Sequence, residues 1–142
     1  MDGDFDAKTP ASKIEKLAVS ALADYSMGFS GYATRDAQQL ADTVASIWGD
    51  PAKAIAISAQ VEHDMSKPTG FMPIMVGAQG KVGLDNSGKT SMDFNITPFG
   101  NRDTTMNLKV ENNLVSLTMH DTNASKNPHE LITVEAPIKS KS

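Results

Sequence analysis

The alternation of apolar and polar residues along the chain is most regular between Thr104 and Asp121. A two-residue turn at Asn112 and Asn113 would pair the two halves of this segment so that apolar residues oppose apolar residues on one face. Asparagine tolerates the positive φ angles of a type I′ turn, which favours a turn here. The segment therefore predicts a β-hairpin with the apolar pairs Val110/Val115, Leu108/Leu117 and Met106/Met119 on one face and the polar pairs Lys109/Ser116 and Asn107/Thr118 on the other.

Helical spacing of apolar residues marks the first part of the chain. Thr9 is a suitable N-cap, Pro10 fits the first helical position and Gly28 fits the C′ position, so a helix is predicted over about 10–27. The apolar residues at helical spacing are Ile14, Leu17, Ala18, Ala21, Leu22 and Tyr25.

A second helix is expected after a short connector at 29–32. Thr34 is the expected N-cap, Asp36 lies in the first turn, where a carboxylate interacts favourably with the helix dipole, and Gly49 ends the helix. Because the connector is short, the two helices should pack as a hairpin that buries the single tryptophan. The apolar stripe of the second helix is Ala37, Leu40, Ala41, Val44, Ile47 and Trp48.

Residues 51–65 fit two structures. Asp50 and Pro51 are a cap and a first helical residue, and the alanines that follow favour a helix through about residue 64. A strand would instead place Ile55, Ile57, Ala59 and Val61 on one side. We expect the helix, which would bury Ala54, Ile55, Ser58, Val61 and Met65.

From Lys67 onward, prolines and glycines separate short apolar segments, which is typical of β-structure. Helices first and strands second indicate an α+β fold, not alternating βαβ units. The expected fold is an N-terminal helical hairpin, of two or three helices, packed on a C-terminal antiparallel β-sheet of about four to six strands. Strands are predicted at 71–76, 81–84, 91–97 and 131–136 besides the hairpin, with turns at 85–88 and 98–101 and a polar loop at 122–129.

The length of 142 residues predicts a single domain. Its expected parts are a flexible tail at 1–8, a mainly helical region at 9–66, a mainly β region at 67–138 and a second tail at 139–142.

Composition and charge narrow the classes of function. The apolar fraction of 39% and the charged fraction of 21% are those of a globular protein. A net charge of −4 and no concentration of Lys and Arg argue against a nucleic-acid partner. The chain contains no cysteine, which excludes disulfides, thiolate nucleophiles and cysteine-ligated metal sites.

The N-terminal sequence and the hydropathy bear on location. Residues 1–6 are acidic and lack the basic and apolar regions of a secretory signal, and no apolar segment is long enough to span a bilayer. We expect a protein without membrane contact, in the cytoplasm or in a particle that is assembled inside a cell.

Residues Gly83–Thr90 match the phosphate-binding pattern Gly-x4-Gly-Lys-[Ser/Thr]. In a P-loop, backbone amides hold the phosphates, and a helix that begins at the Lys-Thr pair supplies its positive end. Here Thr90 is followed by strand-like alternation, so a turn at Asp85–Gly88 is the favoured interpretation. Nucleotide binding at Gly83–Thr90 is kept as a remote alternative.

The three histidines, His63, His120 and His129, are each followed by a carboxylate residue. Adjacent residues on a strand point to opposite faces, so these pairs are poorly placed to share a metal ion. Surface histidines are the favoured interpretation. The sequence predicts no catalytic residue, no cofactor and no metal ligand.

Eight methionines are many for this length, and most of them fall in the β region. Core filling by an adaptable side chain is the favoured interpretation. The alternative is an apolar surface that contacts a protein partner, since short strands also leave sheet edges that a second subunit can cover. The residues of this candidate interaction surface are Met72, Met75, Met92, Phe94, Phe99, Met106 and Met119.

These observations favour a non-catalytic structural or interaction protein, a small component of a larger assembly such as a phage-like particle. The expected partners are proteins, in a homo- or hetero-oligomer. A small ligand-binding domain or enzyme, with a pocket between the helices and the sheet, is the competing hypothesis.

Overall fold

The described part of the chain folds as three α-helices followed by a five-stranded antiparallel β-sheet. This computed structural model describes residues 6, 8–65, 75–84, 90–98, 104–121 and 131–138. The helices are α1 (Lys8–Ser26), α2 (Ser30–Ile47) and α3 (Pro51–Met65). The strands are β1 (Met75–Leu84), β2 (Thr90–Pro98), β3 (Thr104–Glu111), β4 (Leu114–Asp121) and β5 (Ile132–Pro137). The predicted α+β class, with the helices first, is confirmed.

The strands lie in the sheet in the order of the chain, from β1 to β5, and each pairs antiparallel with the next. The predicted β3–β4 hairpin is confirmed in its register, including Val110 opposite Val115. Asn112 and Asn113 form its turn with φ angles of 56° and 64°. Both angles are positive, as a type I′ turn requires.

Both ends of α1 are fixed by hydrogen bonds. At its C-terminus Gly28 has a φ of 86°, its N–H donates to Tyr25 O at 3.1 Å and the Phe29 N–H donates to Asp24 O at 2.8 Å. These two bonds form a Schellman motif, which confirms Gly28 as the C′ residue. The N-terminus differs from the prediction, because the helix begins at Lys8 and not after Thr9.

Asp6 takes the capping role that was expected of Thr9. Its carboxylate accepts hydrogen bonds from the Lys8 N–H at 3.1 Å and from the Thr9 hydroxyl at 2.8 Å. Asp6 therefore satisfies a backbone donor of the first turn, and Thr9 lies inside the helix.

Helix α2 begins at Ser30, four residues before the predicted N-cap. The Thr34 hydroxyl donates to Ser30 O at 2.8 Å, a bond made within the helix, so the prediction that Thr34 caps it was wrong. The Schellman motif ends α1 and reverses the direction of the chain at residues 27–29. Helix α2 can therefore begin directly after it, since residues 30–33 include no proline. Asp36 consequently lies in the middle of α2.

Helix α3 confirms the helical interpretation of residues 51–65 over the strand. The Asp50 carboxylate accepts the Ala52 N–H at 3.0 Å and caps the helix. The buried side is Ala54, Ile57, Ser58 and Val61. Ile55, which was expected to be buried, is 47% exposed on the opposite side.

The core lies between the helices and one face of the sheet. Helix α2 contacts β4 and β5, helix α3 contacts β1 and β2, and α1 packs between the two other helices. Apolar residues alternate into this core along every strand whose side chains are described. They are Met92, Phe94 and Ile96 from β2, Met106, Leu108 and Val110 from β3, Val115, Leu117 and Met119 from β4, and Ile132, Val134 and Ala136 from β5.

Several predicted features fall outside the described residues. They are the strand start at 71–74, the turn at 85–88, most of the turn at 98–101, the loop at 122–129 and nearly all of both tails.

Replacing Asn112 tests how strongly the turn fixes the hairpin. Alanine tolerates positive φ poorly, so Asn112→Ala should lower the free energy of unfolding by about 1 kcal/mol. Asn112→Gly is the matched control, since glycine adopts this φ without strain and should keep or raise stability. Chemical denaturation measures both variants. Equal destabilisation by alanine and glycine would contradict this role of backbone geometry.

Candidate functional site

The face of the sheet that points away from the helices is polar. Two rows of paired residues cross strands β2 to β5 on this face. The first row is Asn95, Asn107, Thr118 and Thr133, and the second is Asp93, Lys109, Ser116 and Glu135. Opposite charges are neighbours in the second row at Asp93 and Lys109, which favours this register.

Hydrogen bonds connect the polar side chains to one another. The Asn107 amide donates to Asp93 Oδ1 at 2.8 Å and to Asn95 Oδ1 at 3.0 Å. Lys109 Nζ lies 3.2 Å from Glu111 Oε1. A cavity of about 330 Å³ lies beside these groups, between the ends of β1, β2 and β3. Lys109 pairs with Glu111 and Asp93 accepts the Asn107 amide, so each charged side chain that lines the cavity already has a partner within the sheet.

The edge of the sheet at β5 is partly protected against further pairing. Both backbone groups of a residue in an antiparallel ladder point to the same side, and successive residues alternate. The Ile138 N–H donates to Asn113 O at 2.8 Å, so Glu135 and Pro137 turn their backbone groups to the outer side. There Gln38 of α2 donates to Glu135 O at 3.2 Å, and proline has no N–H to offer. Both features reduce strand pairing at this edge.

At the opposite edge, β1, the described residues include no proline, and the one irregularity in the pairing with β2 lies between Met75 and Gly77. Successive residues of β1 point their backbone N–H and C=O groups alternately toward β2 and away from it. The registers of the four strand pairs, followed from β5 to β1, show which residues point away. No described strand pairs with this side of β1. The strand spans ten residues and contains no proline. The outward-facing backbone groups belong to Ala78, Gly80, Val82 and Leu84.

A cluster of exposed aromatic side chains lies where α1 meets α2. Phe29 is 48% exposed and Tyr32 is 58% exposed. Their rings meet edge to face with centroids 6.4 Å apart, and the Arg35 guanidinium lies 5.1 Å from the Tyr32 centroid. Aromatic residues and arginine are common at protein interfaces, so this cluster is a second candidate contact surface.

Asp36 is a buried carboxylate between α1 and α2. It is 5% exposed, its Oδ2 accepts the Ser20 hydroxyl at 2.8 Å, and its Oδ1 lies 3.5 Å from Arg35 Nη2. Burial, followed by a hydrogen bond and charge repulsion from Asp36, raises the pKa of Asp24 above its ordinary value of 3.8. Two neighbouring carboxyl groups that share a proton can serve acid–base chemistry, but they also occur as structural pairs.

An open groove of about 640 Å³ runs along α1. Its lining includes Lys8, Lys13 and Lys16, the hydroxyls of Thr9, Ser12 and Ser20, and Leu17. The lysines give this wall a positive charge although the whole chain is acidic.

The predicted interaction surface is corrected by the structure. Met92, Phe94, Met106 and Met119 are at most 4% exposed and belong to the core, so they cannot form a surface of this chain. Their even spacing along strands places them on the helix-covered face. This is the core-filling role that the sequence also offered. Met72, Phe99 and the side chain of Met75 lie outside the described residues.

The motif at Gly83–Thr90 starts in β1 and ends in β2, which pair as neighbours with Leu84 opposite Thr90. A P-loop needs a helix that begins at Lys89-Thr90, and Thr90–Pro98 is a strand. The fold therefore lacks the element that makes this motif bind phosphate. Residues 85–89 themselves lie outside the described part.

The histidines do not come together in the described part of the chain. His63 is exposed on α3 and His120 lies half-buried on β4, while His129 lies outside the described residues. Among the described residues, no group of three or more His, Asp or Glu side chains is placed to hold a metal ion.

Comparison of the chain with protein-family models, curated proteins and solved structures found no match. None of the described helices is long and apolar enough to cross a membrane. The candidate sites are therefore judged on their geometry alone.

The sequence did not indicate two of these surfaces. Phe29 and Tyr32 fell in a predicted connector, and the packing of α1 against α2, which leaves both exposed, is a property of the folded chain. The β1 edge depends on the order of strands in the sheet, which period-two alternation does not encode.

Replacing Ser20 tests the support of the buried carboxylate. Ser20→Ala removes the hydroxyl that donates to Asp36 and should lower the free energy of unfolding by about 1–2 kcal/mol. Ser12→Ala is the control: Ser12 is exposed and lines the same groove as Ser20, so this change should have almost no effect. Equal effects in denaturant titrations would contradict the structural role of this bond.

Replacing Asp24 tests its raised pKa. The fold favours the protonated carboxyl, so its contribution to stability is complete below pH 3.8 and is lost as the pH rises through the raised pKa. Asp24→Asn stays neutral. Its melting temperature should match that of the natural chain below pH 3.8 and exceed it at pH 7. A difference that does not change with pH would contradict the assignment.

Proposed function

We propose that this chain is a non-catalytic interaction protein that joins other protein chains in an assembly by strand pairing at the β1 edge of its sheet. The observation that carries the proposal is the difference between the two sheet edges. Pro137 and Gln38 restrict pairing at β5, whereas no described strand or proline occupies the outer side of β1. Strand addition to an open edge is a recurrent mode of protein recognition.

The outer face of the sheet supports the same proposal. Its polar rows keep that face compatible with water when strands are added at an edge, because added strands extend the sheet and leave its faces open. The exposed cluster of Phe29, Tyr32 and Arg35 offers an additional contact for a neighbouring chain. Membership of a phage-like particle is a narrower proposal that rests on composition.

The competing hypothesis of a ligand-binding domain or enzyme receives less support. It requires a pocket between the helices and the sheet, where the described side chains are buried against one another. The groove along α1 and the cavity at the sheet end both lie elsewhere.

The proposal predicts that a proline in β1 weakens self-association. Gly80 turns its N–H outward, so Gly80→Pro removes a donor from the open edge without removing a bond to β2. Light scattering over a concentration series should give a defined oligomer for the natural chain. The Gly80→Pro chain should stay monomeric at concentrations where the natural chain associates.

Thr133→Pro is the matched control. It removes an outward N–H from β5, the protected edge, and should leave association unchanged. A natural chain that is monomeric at every concentration would contradict pairing between copies. An oligomer that is unaffected by Gly80→Pro would contradict the role of β1.

A further inference from the structure

We propose that the partner at the β1 edge is a second copy of this chain, paired antiparallel about a two-fold axis perpendicular to the sheet. This inference rests on the proposed function and specifies its partner and geometry. The dimer would have a continuous sheet of ten strands with all the helices on one side.

The alternation of backbone groups makes the antiparallel arrangement self-complementary. The residues that face outward from β1 alternate with those that bond to β2, so outward residues of one copy pair with outward residues of the other. Gly80 lies directly opposite Phe94, a core residue of β2. The β1 residues whose backbone groups point outward therefore occupy positions on the helix-covered face of the sheet. The two copies therefore join with their core-side faces aligned and their polar faces aligned.

Helix α3 supplies the second observation. Ala52, Ile55, Ala59 and Glu62 are all exposed and follow one another at spacings of three and four residues, which places them on one side of the helix. Ile55 is 47% exposed there. This side lies away from the residues that α3 buries, and α1 is the helix that α3 contacts. The exposed stripe thus has no covering element among the described residues.

The two-fold axis would bring the two copies of α3 together. Helix α3 contacts both β1 and β2. If its axis lies midway between these strands, the two α3 axes would be separated by about two strand spacings, roughly 10 Å. Helices pack at about 8–10 Å, and alanine at the contact allows the closer distances. A parallel pairing of the β1 strands would instead put the two helix layers on opposite faces.

The charges along α3 fit the antiparallel arrangement. When Ile55 packs opposite the second copy's Ala59, Glu62 comes to lie beside the first turn of the second copy's α3. The helix dipole stabilises a carboxylate at that end, and this stabilisation opposes the repulsion from the Asp50 cap. The interface then combines a strand pair with an apolar contact between two helices.

Cross-linking tests this geometry cleanly, because the natural chain has no cysteine. Ile55→Cys and Ala59→Cys chains are mixed under mild oxidation and analysed on a denaturing gel. The mixture should give a disulfide-linked dimer. Ser46→Cys, exposed on α2, is the control and should not link to Ala59→Cys. Adding Gly80→Pro to both chains should abolish the link.

Ile55→Asp provides a test without cross-linking. The side chain is exposed in the monomer, so folding should be kept and the melting temperature at low concentration should hardly change. The dissociation constant of the dimer should rise by about tenfold or more, because an apolar contact is lost and two carboxylates are brought close.

The outcomes separate this inference from the proposed function. A monomeric natural chain overturns the two-fold dimer and restricts strand addition at β1 to a different protein chain. Association that Gly80→Pro abolishes, but without the Ile55–Ala59 link and with no effect of Ile55→Asp, overturns the two-fold dimer and leaves strand addition standing. Open-ended growth beyond two copies also overturns it.

Discussion

The fold depends on a sheet that is buried on one face only. Strand residues alternate between the helix-covered core and the solvent, so a single register places Met106, Leu108 and Val110 inside and Asn107 and Lys109 outside. The positive φ angles of the Asn112-Asn113 turn fix that register locally. Three helices then cover the apolar face side by side. Helix α2 contacts β4 and β5, helix α3 contacts β1 and β2, and helix α1 packs between them. An open sheet built in this way has two edges with unpaired backbone N–H and C=O groups.

The two edges differ in chemistry. At β5 the chain uses Pro137 and the Gln38 amide, which comes from a helix far away in sequence, to limit pairing. At β1 it uses no such device among the described residues. Unprotected edges are normally avoided because they aggregate, and this contrast between the two edges is the basis of the proposal that β1 pairs with another chain. The exposed Ile55 on α3, the helix nearest that edge, fits the same interpretation.

The sequence predicts local structure well and surfaces poorly. Gly28, Asp50 and the Asn112-Asn113 turn each act through nearby backbone geometry, and each was identified correctly. Thr34 was misassigned because helix α2 begins directly after the Schellman motif, where Ser30, Gly31 and Tyr32 are weak helix formers and the N-cap Phe29 makes no side-chain cap hydrogen bond. The buried methionines were named as a candidate surface because alternation does not say which face of a sheet is covered. Strand order, which creates the β1 edge, is a tertiary property.

Amide hydrogen exchange, followed by NMR over a concentration series, tests pairing at β1 most directly. The N–H groups of Ala78, Gly80 and Val82 should exchange more slowly as concentration rises, because a second strand would bond to them. Those of Thr133 and Glu135, which face outward at the protected edge, should exchange at a constant rate. Rapid exchange of the three β1 amides at every concentration would contradict the account.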